Sequence, residues 1–214
     1  MAADVLGARA SRTRGAVLEA AEELFSARGF DGTRLEDIAE RVGIRRASIV
    51  YYFKDKRELY EAVLASVFGE FHAALAAALA RDLPLLERID AAVSTWVDFV
   101  GRRPAVARII LREVADAGPD RRSAVLEYTQ PFVDLVRKQI LERPDFAEAN
   151  LARVDPVHVA SIVAGTSVFL VAAMPALLPD RQLNPTSAEQ LEVHKQELLR
   201  IVRRMLDSSE SQSA

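Results

Sequence analysis

The feature that most constrains this chain is the spacing of its apolar residues, which recur at the helical period while glycine and proline fall mostly between the periodic stretches. Val17, Leu18, Ala21, Leu24 and Phe25 share one face of a helix predicted over residues 12–28 and closed by Gly29. Thr33-x-x-Glu36 has the form of a capping box; the second helix it opens turns Leu35, Ile38, Ala39 and Val42 inward and stops at Gly43. A third, short helix follows over residues 45–53. Three short helices with a glycine-containing turn between the last two form a helix-turn-helix pattern.

From Lys56 the periodic stretches lengthen. One helix is expected over residues 56–81. The next two carry Leu85, Ile89, Val93, Trp96 and Val100, then Val106, Ile109, Ile110 and Val114. Another, capped by Asp120, carries Leu126, Phe132, Val133, Val136 and Ile140. Asp155-Pro156 reads as an N-cap and first-turn proline for an apolar helix to about residue 173. Thr186-x-x-Glu189 reads as a second capping box, before Leu191, Leu198, Val202, Met205 and Leu206. The expected fold is all-α, with a flexible arm at residues 1–11, a helix-turn-helix domain at 12–55, a larger helical domain at 56–207 and a disordered tail at 208–214.

Composition removes several alternatives. The 214 residues contain no cysteine, so disulfides, zinc-thiolate sites and cysteine nucleophiles are excluded. The three histidines stand apart, without His-Glu-x-x-His, a phosphate-binding glycine loop or Gly-x-Ser-x-Gly, so neither a metal nor a cofactor nor an enzyme is expected. No secretory signal opens the chain, which predicts a cytoplasmic location. The apolar stretch from Val157 to Leu178 approaches bilayer length, but Gly165 and Pro175 interrupt it and no flanking basic cluster anchors it. Burial in a core or interface is the simpler use, and no membrane partner is expected. Together with the last helix it is expected to meet the same pair of a second chain in a four-helix dimer interface, through Val159, Ile162, Val163, Leu191, Leu198, Val202 and Met205.

The formal charge is −3, yet between Arg45 and Arg57 five basic residues face one acid, Asp55. Ile49 and Phe53 can anchor the third helix inward at i, i+4, leaving Arg45, Arg46, Ser48, Tyr51 and Tyr52 outward. Arginine can pair with guanine edges in a major groove and serine with either kind of edge group, while tyrosine hydroxyls, the Lys56 ammonium and the second helix's N-terminus suit phosphates.

This stretch resembles the DNA-binding domain of the TetR family of transcriptional regulators. Ile49-Val-Tyr-Tyr-Phe53, Lys56 and Leu59 match the family's pattern at the end of its recognition helix, as do Phe25, Gly29, Phe30, Thr33, Ile38 and Ala39 before it. Arg45 and Arg46 replace a commoner small-polar and lysine pair, and Val50 replaces an aromatic residue. The resemblance implies a homodimeric, ligand-responsive repressor of a palindromic operator on double-stranded DNA. It implies DNA contacts from Thr33, Arg45, Arg46, Ala47, Ser48, Tyr51, Tyr52 and Lys56. It also implies a small, largely apolar effector in a pocket drawn from Trp96, Phe99, Tyr128, Phe132 and Phe169. The rival readings are a helical enzyme and a helical adaptor without DNA affinity.

Overall fold

The protein was described from a computed structural model, in residues 2–116, 125–149 and 155–207. All regular structure among these residues is helical. Helix α1 (Ala2–Arg28) begins ten residues before the predicted start. Ala2, Ala3, Ala8 and Ala10 are strong helix formers with no proline among them, so the expected arm continues the helix. The predicted Asp120 cap and the tail at 208–214 lie outside the described residues.

Helices α2 (Leu35–Val42) and α3 (Arg46–Tyr52) pack with α1 around Val17, Ala21, Phe25, Ile38, Ile49 and Phe53, all buried. Removing each of the larger of these side chains from water contributes about 1.5–3 kcal/mol. The turn between α2 and α3 depends on Gly43, whose φ of +76° is left-handed, a conformation that costs other residues energy. Its N–H donates to the Glu40 carbonyl (3.1 Å) and the Ile44 N–H to Ala39 (2.9 Å), closing α2.

Helix α4 (Lys56–Leu79) runs from this small domain into the larger one. Its N-cap is Asp55, whose carboxylate accepts from the Glu58 N–H (2.9 Å), while the Glu58 side chain accepts from the Lys54 N–H (2.8 Å). It is long and apolar enough to span a bilayer, but here it is a core helix, with nine of its residues from Leu59 to Leu79 buried.

Helix α5 (Leu85–Arg102) and helix α6 (Pro104–Asp116) meet at Arg103, where Pro104 restarts the chain. Helix α7 (Val125–Val136) passes into five residues of π-helix (Arg137–Leu141) and the short α8 (Pro144–Glu148). Helix α9 (Pro156–Ala172), capped by Asp155 through the Val157 N–H (2.8 Å), packs on α5 and α6. The apolar stretch breaks at Ala173, with α10 (Met174–Leu177) after it. Helix α11 (Ala188–Asp207) returns along α5. Ser187 precedes it and accepts from the Gln190 N–H (3.3 Å), while Thr186 bonds Asn184; the capping residue is therefore Ser187 rather than the predicted Thr186.

Ion pairs and charged hydrogen bonds fasten α5, α6 and α11 to their neighbours. Arg103 reaches Glu22 of α1 and Glu70 of α4. Arg112 of α6 donates to the carbonyls of Ser26 (3.2 Å) and Ala27 (2.8 Å) at the end of α1. Lys195 of α11 pairs with Asp98 of α5 (2.6 Å). The two helices lie so close that the Leu191 side chain fills the place a Cβ on Gly101 would take.

Candidate nucleic-acid interface and interior cavity

Helix α3 is held from within and presented without. Ile49 and Phe53 are buried, whereas Arg45, Arg46, Ala47, Val50 and Tyr51 are exposed, Tyr51 by 82%. Ser48 and Tyr52 are half-buried, and the Tyr51 and Tyr52 rings meet edge to face at 5.1 Å. Seven residues give about 10 Å of helix, within the compass of a major groove about 12 Å wide. Arg46 shares its charge with Glu36 of α2 at 3.0 Å, both side chains 60% exposed. Such a surface pair contributes little to stability and is readily exchanged for another acceptor.

Helix α2 presents an open N-terminus. Its N-cap residue is Arg34, whose side chain makes no cap bond, leaving the first-turn N–H groups without a side-chain acceptor. The acids of that turn are already paired, Glu36 with Arg46 and Asp37 with Arg28 (2.8 Å). An anion approaching there meets backbone donors and a favourable dipole.

Two predicted DNA contacts do different work. Thr33 is fully buried, and its one hydroxyl proton is shared between the carbonyls of Gly29 (2.8 Å) and Leu24 (3.2 Å); it neither caps α2 nor reaches the surface. A short hydroxyl can satisfy the orphan carbonyls at the end of α1 as readily as a helix start. Lys56 turns inward as well. Its Nζ donates to the carbonyls of Phe30 (2.7 Å) and Thr33 (3.1 Å) and lies 4.3 Å from the Phe30 ring centre, so one of its three protons remains for another acceptor. Arg14 stacks on Phe53 at 5.0 Å, fixing α1 to the end of α3.

The larger domain forms a partly open apolar cavity of about 190 Å³ between α4, α5, α7, α9 and α11. Of the five aromatic residues predicted to line a pocket, Trp96 and Phe132 do so, joined by Phe71, Ile89, Ile140 and Val163 among others. Phe99 is wholly buried against Phe71, with ring centres 5.0 Å apart. Tyr128 stacks on Phe68 at 6.3 Å, and burial raises its phenol pKa. Phe169 faces outward, 46% exposed. Among the described residues no three His, Asp or Glu side chains gather as a metal site would require.

The predicted dimer residues also divide. Val159, Val163 and Val202 line the cavity; Leu198 is buried in the chain and Leu191 packs at Gly101. Met205 is half-buried. Ile162 alone of the set lies in a shallow outer groove, with Gly165, Thr166, Phe169 and His194. Val157, Val193 and Ile201 are exposed, at 72%, 59% and 43%. These three lie outside the predicted set; on α11 the apolar stripe is satisfied by its own α5, which leaves Val193 and Ile201 facing out.

The sequence profile of the bacterial regulatory proteins of the TetR family matches residues 17–63. The chain is 30% identical over 148 residues to the HTH-type transcriptional regulator RutR of Escherichia coli strain K12, an alignment covering 69% of this chain and 68% of that protein. It is 29% identical over 149 residues to the HTH-type transcriptional activator FasR of Mycolicibacterium smegmatis, covering 70% and 68%. Among solved structures it resembles AibR in complex with isovaleryl coenzyme A and operator DNA, with a TM-score of 0.67, 20% identity and coverage of 88% and 97%. By fold, helix-turn-helix residues and relatives, the chain belongs to the TetR family of DNA-binding transcriptional regulators.

Proposed function

We propose that the protein is a homodimeric repressor that reads an inverted repeat in double-stranded DNA and leaves it when a small, largely apolar molecule fills the interior cavity. The observation that carries this reading is the outward face of α3, where Arg45, Arg46, Ala47 and Tyr51 stand exposed on a helix anchored through Ile49, Tyr52 and the Phe53 that ends it. Arg45, Arg46 and Ser48 address base edges; Tyr51, Tyr52 and the open N-terminus of α2 address phosphates. Thr33 and the pinned Lys56 hold the loop that aims α2. The protein acts in the cytoplasm, and no catalytic step is assigned to it.

Dimerisation is assigned to the outer face of α9 and α11, through Ile162, Phe169, Val193 and Ile201. Exposed apolar residues grouped on two adjacent helices suit a self-complementary contact about a two-fold axis. That axis would set the two α3 helices into successive major grooves, with centres about 34–36 Å apart.

The cavity touches α4, and the ties of Arg103 and Arg112 join α4, α5 and α6 to α1. A ligand favours one spacing of the recognition helices only as far as it binds that arrangement better. The structural relative AibR, solved with an acyl-coenzyme A and operator DNA, supports a two-site reading. The relative FasR is named an activator, so the sign of regulation is decided by experiment. Repeated selection of random duplexes, at two salt concentrations, tests the reading. Enrichment of an inverted repeat, followed by lowered transcription from a promoter overlapping it, is expected. Absence of any enriched repeat would remove the reading, and raised transcription would reverse its sign.

A further inference from the structure

The seam between the two domains holds a polar contact that neither the outward face of α3 nor the cavity uses. The Tyr60 hydroxyl of α4 donates to Glu113 Oε1 of α6 (2.7 Å), and both residues are buried. A carboxylate taken from water needs its donors kept in place, and a hydrogen bond there is stronger than one at the surface because little water competes for it. The ties of Arg103 and Arg112 across the same seam are more open. Arg103 meets Glu22 and Glu70 with its side chain 26% exposed, and Arg112 donates to carbonyls at the end of α1. Ion pairs open to solvent exchange readily with water and salt.

The Tyr60 ring also seats the turn that aims α2. It meets Phe25 of α1 edge to face at 4.9 Å and Phe30 at 5.2 Å. Phe30 is held further by the Lys56 ammonium, 4.3 Å from its ring centre, and its carbonyl accepts from Lys56 Nζ and from the Thr33 N–H (3.4 Å). Arg34, directly after Thr33, is the N-cap residue of α2. Close-packed rings transmit a displacement rather than absorb it, so a shift of Tyr60 passes through Phe30 to the start of α2. Toward the cavity the line of contacts is as short. Glu113 belongs to α6, α6 packs on α9, and Val159, Ala160 and Val163 of α9 line the cavity.

We propose that Tyr60 is a positioning residue for DNA recognition: its bond to Glu113 makes the aim of α2 and α3 depend on the placing of α6, and so on the cavity wall that α9 forms. The inference rests on the reading of α2 and α3 as the DNA-contacting pair, and it names the contact through which the larger domain regulates them.

Coupling between sites is reciprocal, so DNA held by α2 and α3 must be felt in the larger domain. Trp96, the chain's only tryptophan, stands there on α5 in the cavity wall and reports the effect by its fluorescence. The probe is the selected duplex, titrated into the wild type, Tyr60→Phe, Glu113→Leu, the two combined, and Glu113→Gln, with the fold of each checked by circular dichroism. Tyr60→Phe removes the donor and Glu113→Leu the acceptor, whereas Glu113→Gln keeps an oxygen that accepts. Tyr60→Phe and Glu113→Leu should each bind the duplex at least about fivefold more weakly than the wild type, and the combined variant no more weakly than the weaker of the two. Glu113→Gln should stay within about twofold of the wild type, as an intact acceptor requires. At saturating duplex, the change in Trp96 emission seen in the wild type should fall by more than half in the two breaking variants, a readout that a merely weakened fold does not move. Wild-type affinity in folded breaking variants, additive losses in the combined one, an emission change of full size in them, or none in the wild type would each overturn the proposal. Should Tyr60→Phe fail to fold, Glu113→Leu set against Glu113→Gln decides. A wild type that binds no duplex would remove the DNA-contacting reading and this inference with it, whereas a duplex bound alike by all five proteins would remove this inference alone.

Discussion

Lys56 shows how one residue type in one sequence position can serve two ends. Its ammonium, read from sequence as a phosphate contact, bonds the carbonyls of Phe30 and Thr33 and caps the Phe30 ring. Replacing it with methionine is expected to cost about 1.5–3 kcal/mol of stability, the range for hydrogen bonds to a charged group, while the salt dependence of DNA binding stays as it was. Urea unfolding and binding at several salt concentrations check both halves. Unchanged stability with a salt slope lowered by about one unit would return Lys56 to the phosphate list. Arg46 is the contrasting case, exposed and only loosely paired with Glu36. Arg46→Ala should lose about 1–3 kcal/mol at particular base pairs of the selected repeat, read by comparing single-base variants of the site. A uniform loss across all sequences would make it a backbone contact. The outward set on α3 was legible because Ile49 and Phe53, four apart, fix which side faces in. Thr33 was not legible, because a threonine near a helix start satisfies either the next helix's N–H groups or the previous helix's carbonyls.

At the scale of elements, periodicity located most helices but did not choose their partners. Helix α9 is apolar nearly all round, so nothing in its spacing says that Val163 faces the cavity while Phe169 faces out. Helix α11 carries a clear stripe, yet a stripe announces a partner without naming it, and here the partner is α5. Between α9 and α11 the contact includes Ser167, whose hydroxyl donates to the Val163 carbonyl (2.7 Å) and lies 3.1 Å from His194 Nε2. With its proton so used, the serine oxygen accepts from a neutral imidazole. Burial depresses the His194 pKa below the usual value of about 6.5. The fold thus favours the neutral form: its contribution is complete above about pH 6.5 and declines as pH falls through that value toward the lower folded one. The urea midpoint should therefore drop between pH 7.5 and 5.5 by more in the wild type than in His194→Gln, whose amide can still donate to Ser167. Equal drops in both proteins would show that His194 carries none of the effect.

For the whole molecule, the sequence made the two-domain helical plan legible, since glycine and proline separate the stretches and α4 continues from one domain into the other. The cavity was only partly legible. Trp96 and Phe132 were among its candidates, but the aliphatic residues that complete it come from helices far apart in sequence and look like any other core positions. The residues expected at a dimer face are largely ones that the chain covers for itself, because one sequence does not reveal how much of an apolar surface its own helices consume. In the proposed assembly two chains, joined through the outer face of α9 and α11, read the two halves of one site. Sedimentation of the protein on the selected duplex, alongside Phe169→Glu and a duplex holding one half-site, checks this assembly. Two chains are expected on each full site, with at least a hundredfold weaker binding to the half-site, and a monomer with equally weakened DNA binding for Phe169→Glu. One chain bound to each full site at undiminished affinity would contradict it.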